Sequence, residues 1–184
     1  MKTNSFNKQS VLLALLFSLL LTACEFRCSV GGDSGTTGKP NAKKGPMLYN
    51  NIALNTTGGV KVHRAFLTND KNERIAEGNF IEPNKYTYLK VIIDSGWTET
   101  NGRCYLGASQ KITTDGGKVL LDEPDLFESL GVDGASAEDA KIISLSVILK
   151  VPPNAPPSGF NVEYRIWDKK GEGSISGQYK IFTK

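Results

Sequence analysis

Apolar residues recur at every second position over long stretches of this chain, and that period admits few folds. In Ile143-Ser-Leu145-Ser-Val147-Ile-Leu149-Lys-Val151 the odd positions are apolar and those between them mostly polar. Phe160-Asn-Val162-Glu-Tyr164-Arg-Ile166, Ile175-Ser-Gly-Gln-Tyr179-Lys-Ile181 and Leu89-Lys-Val91-Ile-Ile93 follow the same rule, and residues 60–66 follow it more weakly. A period of two sends alternate side chains to opposite faces of an extended chain, so each run reads as a half-buried strand. Turn formers separate them: Asn55-Thr-Thr-Gly-Gly59, Glu82-Pro-Asn84, Asp115-Gly-Gly117, Pro152-Pro-Asn-Ala-Pro-Pro157 and Asp168-Lys-Lys-Gly171. Seven or eight short strands with one apolar face each bury those faces only against one another. The expected fold is an all-β antiparallel sandwich, immunoglobulin-like in architecture. Helix is confined to one or two short turns. Residues 124–130 predict two turns, and Ser136-Ala-Glu-Asp139 resembles a capping box opening one more.

The alternation begins only near Met47. Ahead of it, two lysines precede the apolar run Val11-Leu-Leu-Ala-Leu-Leu-Phe-Ser-Leu-Leu-Leu21. That run is shorter than the roughly 20 residues a permanent membrane helix requires, and reads as an export signal. It ends in Leu21-Thr22-Ala23-Cys24. This tetrapeptide resembles the lipobox of bacterial lipoproteins, and the resemblance covers residues 1 to about 28. It implies diacylglyceryl attachment to the Cys24 thiol, cleavage before Cys24, and acylation of the new amino terminus in many bacteria. The alternative is an ordinary cleaved secretory signal. Several acyl chains on one residue anchor stably where one chain binds marginally, at about 0.8 kcal/mol per buried methylene. Glu25, rather than Asp, follows the lipid site, and by resemblance to enteric sorting this favours the outer membrane.

From Ser29 to Pro46 the chain is rich in Gly, Pro, Ser, Thr, Asn and Lys, with almost nothing apolar. Such a stretch is a tether with a reach on the order of 25 Å. The chain therefore divides into a signal (1–23), a lipid anchor and flexible tether (24–45), and a sandwich domain (46–184). Two look-alikes fall in the tether. Gly32-Asp33-Ser34-Gly35 echoes a serine-protease nucleophile but has no surrounding core to hold an oxyanion hole. Gly32 to Lys39 echoes a phosphate loop, but its spacing is one residue too long and Pro40 stands where Ser or Thr would hold magnesium.

Charge argues against nucleic acid. The chain carries 22 Lys plus Arg against 19 Asp plus Glu, but the excess bases belong to signal and tether, and the domain is near balance. Displacing counterions from phosphates requires a basic excess. With one histidine and three cysteines, most zinc sites and histidine-based catalytic arrangements are also hard to build. No metal and no cofactor are expected.

The candidate site residues fall in three groups. Between Lys118 and Lys141 stand seven acids and no base, among them Asp122, Glu123, Asp125 and Glu128. They read as a solvated acidic connection or as a partner-binding loop, without the alternating ligand pattern of the familiar calcium loop. Tyr86 and Tyr88 face opposite to Leu89, Val91 and Ile93, and Trp97 follows in a loop. Such rings stack on sugars, pack on a protein, or lie under a neighbouring loop. Cys28 and Cys104 are the remaining thiols, and export permits a disulfide between them. Against it, Cys104 shares a strand face with Leu106, Ala108 and Ile112, which predicts a buried free thiol. His63 reads as an exposed or half-buried strand residue rather than a general base.

The expected function is a lipid-anchored cell-envelope protein, not an enzyme, whose sandwich binds a protein or glycan. The alternative is an accessory or assembly lipoprotein of an envelope secretion or transport complex, and an envelope hydrolase is a third class. The lipobox resemblance implies that the membrane is engaged through lipid on Cys24.

Overall fold

A computed structural model describes residues 45–130, 133–152 and 154–184. The export signal, Cys24, Cys28 and the tether to Lys44 lie outside the described residues. The alternating runs form strands. Numbered in chain order they are β1 (Met47–Leu48), β2 (Ala53–Thr57), β3 (Lys61–Thr68), β4 (Phe80–Ile81), β5 (Tyr86–Ser95), β6 (Glu99–Thr100) and β7 (Arg103–Cys104). There follow β8 (Leu106–Thr114), β9 (Val119–Glu123), β10 (Ala135–Ser136), β11 (Ile142–Ile148), β12 (Gly159–Asp168) and β13 (Ser174–Thr183).

Two large sheets result. Sheet A runs β1-β3-β5-β11, and sheet B runs β2-β13-β12-β8-β9 with β4 added to the end of β13. The long pairings are antiparallel, and the two-residue contacts β1–β3 and β4–β13 are parallel. β6, β7 and β10 make a small third sheet. The antiparallel sandwich expected from the alternation is present, with eight strands of five residues or more among the described residues.

The inner faces are the apolar positions of the sequence pattern. Leu89, Val91 and Ile93 of β5, Ala65 and Leu67 of β3 and Leu145 and Val147 of β11 meet Val162 and Ile166 of β12, Ile175 and Ile181 of β13 and Ala108 and Ile112 of β8 in one core. Fully burying a side chain of this size contributes about 1.5–3 kcal/mol. Cys104, Leu106, Ala108 and Ile112 are all buried, and burial, aided by the nearby charges of Asp168 and Glu99, pushes the Cys104 thiol pKa up.

Helix is scarcer than residues 124–130 suggested. Only Glu128–Leu130 forms a 3-10 turn. Asp125 Oδ1 accepts from the backbone N–H of Phe127 at 3.0 Å and of Ala108 at 3.2 Å, while Oδ2 meets Lys169 Nζ at 2.6 Å. The carboxylate thus caps the single turn that follows and pins the connection onto β8. The second expected turn is present as the 3-10 helix Asp139–Lys141, with Ser136 Oγ accepting from Asp139 N at 3.0 Å.

Asparagine organises the corners. Every non-glycine residue with positive φ among the described residues is Asn, and Asn tolerates that conformation better than bulkier side chains. Asn50 is fully buried. Its Oδ1 accepts from Leu67 N at 2.9 Å and its Nδ2 donates to Ile75 O at 3.0 Å. Asn79 Nδ2 donates to both Asn50 O and Lys180 O at 2.7 Å, stitching the corners of sheet A to β13.

Candidate functional site

The outer face of sheet B carries a groove of about 480 Å³. Strand register places its side chains in two rows across the strands. In one row Asn55 lies opposite Ser176, Ser176 opposite Arg165, and Arg165 opposite Ser109. In the other Ala53 lies opposite Gln178, Gln178 opposite Glu163, Glu163 opposite Lys111, and Lys111 opposite Asp122. These positions alternate with the core residues Val162, Tyr164 and Ile166 of β12, so the burial that fixes the strand also aims Glu163 and Arg165 outward.

The floor is short and the walls are long. Ala53, Asn55, Ser109 and Ser176 leave the space that Lys111, Arg165, Glu163 and Gln178 enclose. Lys111 Nζ reaches Asp122 Oδ2 at 3.3 Å. Neither Arg165 nor Glu163 has a carboxylate or cation partner within 4.0 Å among the described residues, so both keep their charged hydrogen-bonding groups for solvent or ligand. The guanidinium of Arg165 lies 5.7 Å from the Trp167 ring centroid.

Trp167 borders the groove one register step along β12. It lies against Gly107, where a Cβ would fall 2.3 Å from the indole, so a strand-interior glycine marks a close approach. Gly177 serves the same purpose beneath: a Cβ there would sit 2.7 Å from the Tyr164 hydroxyl, which donates to Ala53 O at 3.2 Å. Burial pushes the Tyr164 phenol far above its ordinary range, keeping it a neutral donor.

The residues singled out from sequence scatter. Asp122 alone lines the groove. Glu123 follows it on β9, opposite Gln110. Asp125 is held by Lys169 and two backbone N–H groups, and Glu128 is exposed in its short turn. Trp97 packs on the core and donates Nε1–H to Ala140 O at 3.2 Å. Tyr86 and Tyr88 lie on the outer face of sheet A, with ring centroids 6.0 Å apart, and Lys90 Nζ stands 5.6 Å from the Tyr88 centroid. Arg64 lies 5.5 Å from the Phe66 centroid on the same face.

His63 sits at a bulge of β3, with Nδ1 3.6 Å from Asp94 Oδ1 and both side chains about half exposed. Among the described residues no group of three or more His, Cys, Asp or Glu is placed to hold a metal ion. No described helix is long and apolar enough to cross a membrane.

No protein-family model and no curated protein matches the chain. Among solved structures it is similar to the C-terminal domain of Wzt, at 14% identity and a TM-score of 0.41, over 76% of this chain and 81% of that one. It is also similar to the soluble domain of PmoD from Methylocystis, at 14% identity and a TM-score of 0.36, over 72% of this chain and 96% of that one. A likeness at this level assigns neither ligand nor activity.

Proposed function

We propose that this chain is a lipid-anchored envelope protein whose sandwich binds a glycan, without catalysis, on the outer face of sheet B. The observation that carries the reading is the pair of registered rows, which gather hydroxyl, amide, guanidinium and carboxylate groups from five strands onto one open surface. Sugars offer many adjacent hydroxyls, which planar amide, carboxylate and guanidinium groups recognise in pairs, and their apolar faces stack on rings such as Trp167. An open groove lined by polar side chains suits such a ligand better than an apolar one.

The groove's two carboxylates, Asp122 and Glu163, are separated by Lys111, whose ammonium is paired with Asp122. The chain's one histidine lies on the other sheet, so no histidine base reaches this face. That arrangement favours binding over hydrolysis. The anchor rests on the lipobox resemblance. Replacing Cys24 with Ser is expected to move the chain from the membrane fraction to the soluble one.

The glycan reading is tested by probing an array of bacterial glycans with the full chain and with Arg165→Ala. Binding by the first that the second loses supports it, and absence of any bound glycan overturns it. The assembly reading draws on a different feature, the exposed Val119 and Leu120 of edge strand β9, whose unpaired backbone is open to a partner strand. Crosslinking in intact membranes tests it, with a stoichiometric envelope protein as the supporting outcome.

A further inference from the structure

The geometry of the two rows points to one class of glycan and one way for it to lie: we infer a neutral oligosaccharide chain running across the strands, one ring above each strand. This rests on the glycan reading and goes beyond it in ligand charge, direction and length. Direction follows from where the side chains stand. Each strand lifts two groups from the sheet, separated by one intervening inward residue: Asn55 and Ala53 on β2, Ser176 and Gln178 on β13, Arg165 and Glu163 on β12, Ser109 and Lys111 on β8. Two residues along a strand span roughly 6.6–6.8 Å, which leaves a trough between the rows that runs perpendicular to the strands. A chain laid in it passes between Ser176 and Gln178, Arg165 and Glu163, and Ser109 and Lys111, with Asn55 at the β2 end. A chain laid along one strand would meet the walls of Arg165 and Glu163 head on.

Spacing supports the same direction. Neighbouring strands repeat at about 4.8 Å, so the four strands that flank the trough, β2, β13, β12 and β8, span roughly 14 Å from first axis to last. A linked pyranose advances by a similar length per ring, and four rings fill the trough. The middle of the trough carries Arg165 and Glu163, with the Ser176 hydroxyl and Gln178 amide on one side and the Ser109 hydroxyl and Lys111 ammonium on the other, and Trp167 stands beside Arg165 as a stacking face for a substituent that leaves the trough.

Charge sets the class. The trough holds two cations, Lys111 and Arg165, and two anions, Asp122 and Glu163, in alternation across β9, β8 and β12. An anionic polymer gains nothing over this surface, because Glu163 and Asp122 repel the acid groups that Lys111 and Arg165 attract. A neutral chain uses all four as hydrogen-bonding groups.

The test is an array of neutral and uronic-acid-containing bacterial oligosaccharides graded from one to six rings, probed with the full chain and followed by titration of the best binder at low and high salt. The inference expects neutral chains to bind, affinity to rise at least tenfold between one ring and four and less than twofold beyond, and salt to change affinity less than twofold. Binding confined to anionic chains, or affinity independent of length, overturns the inference while the glycan reading stands. Absence of all binding removes both. Glu163→Gln separates charge from shape: it is expected to improve binding of uronic-acid chains and to leave the fold unchanged, and no gain for those chains contradicts the charge argument.

Discussion

The two outer faces of the sandwich carry similar kinds of side chain and do different things with them. On sheet A the rings and cations satisfy one another: Tyr86 stacks with Tyr88, Lys90 lies by Tyr88, and Arg64 lies by Phe66. Across the strands from Tyr88 and Lys90, Thr68 and Ser144 are almost wholly covered. On sheet B Arg165 has a ring beside it too, Trp167 at 5.7 Å, but the groove walls stand apart around a floor of short residues, and neither Arg165 nor Glu163 has an ion-pair partner among the described residues. An exposed aromatic is thus a poor guide to a binding face when its neighbours already occupy it. An unmet charge beside short residues is a better one.

Substitutions can break or sharpen that contrast, and the largest effect is expected at the connection belonging to neither face. Asp125→Ala removes the acceptor of two backbone N–H groups and the partner of Lys169, and is expected to cost about 3 kcal/mol in chemical unfolding without a specific effect on ligand. Burial works to raise this carboxyl's pKa, but the hydrogen bond from Lys169, those from Phe127 and Ala108, and the lysine charge hold it below the ordinary value. A lowered folded pKa gives stability that is present above the unfolded value of about 4 and lost as pH falls through the folded one. The stability gap between the native chain and Asp125→Asn should therefore shrink on acidification below about pH 4.

Gly107→Ala comes next. Its Cβ would fall 2.3 Å from the Trp167 indole, so the ring must leave its seat. A cost of about 1–3 kcal/mol in thermal or chemical unfolding is expected, together with weaker ligand binding. Tyr88→Ala on sheet A should cost about 1–2 kcal/mol of stability and leave binding alone. Arg165→Ala on sheet B should do the reverse, weakening binding tenfold or more while stability stays within about 0.5 kcal/mol. Lys111→Ala breaks an exposed pair whose partner is 62% exposed, and its stability effect should be at the edge of detection, below about 0.5 kcal/mol.

The strands were legible because each has one buried face. The odd positions from Ile143 to Leu149 and the alternation through Tyr164 and Tyr179 mark the core directly. The groove was not legible, because Ser109, Lys111, Glu163, Arg165, Ser176 and Gln178 are what any solvated strand face carries. Only cross-strand register brings Asn55 beside Ser176 and Asp122 beside Lys111, and register is not written in local composition. Gly107 and Gly177, each inside a strand, were the available signal of close approach. The short helix at residues 124–130 failed for a related reason. Asp125 caps a start, its Oδ1 accepting from Phe127 N, yet the same carboxylate is also tied to Ala108 and to Lys169, more than forty residues later, and only the turn Glu128–Leu130 follows. Trp97 looked like a free ring until the loop brought it to Ala140.

The central claim is that ligand binding belongs to the outer face of sheet B. It is tested most directly by titrating one bound oligosaccharide against two matched double variants of the full chain. Arg165→Ala with Glu163→Ala should lose binding a hundredfold or more with an unchanged unfolding midpoint, while Tyr86→Ala with Tyr88→Ala should bind as the native chain does and unfold earlier. Retained binding in the first pair, or loss confined to the second, would contradict the account.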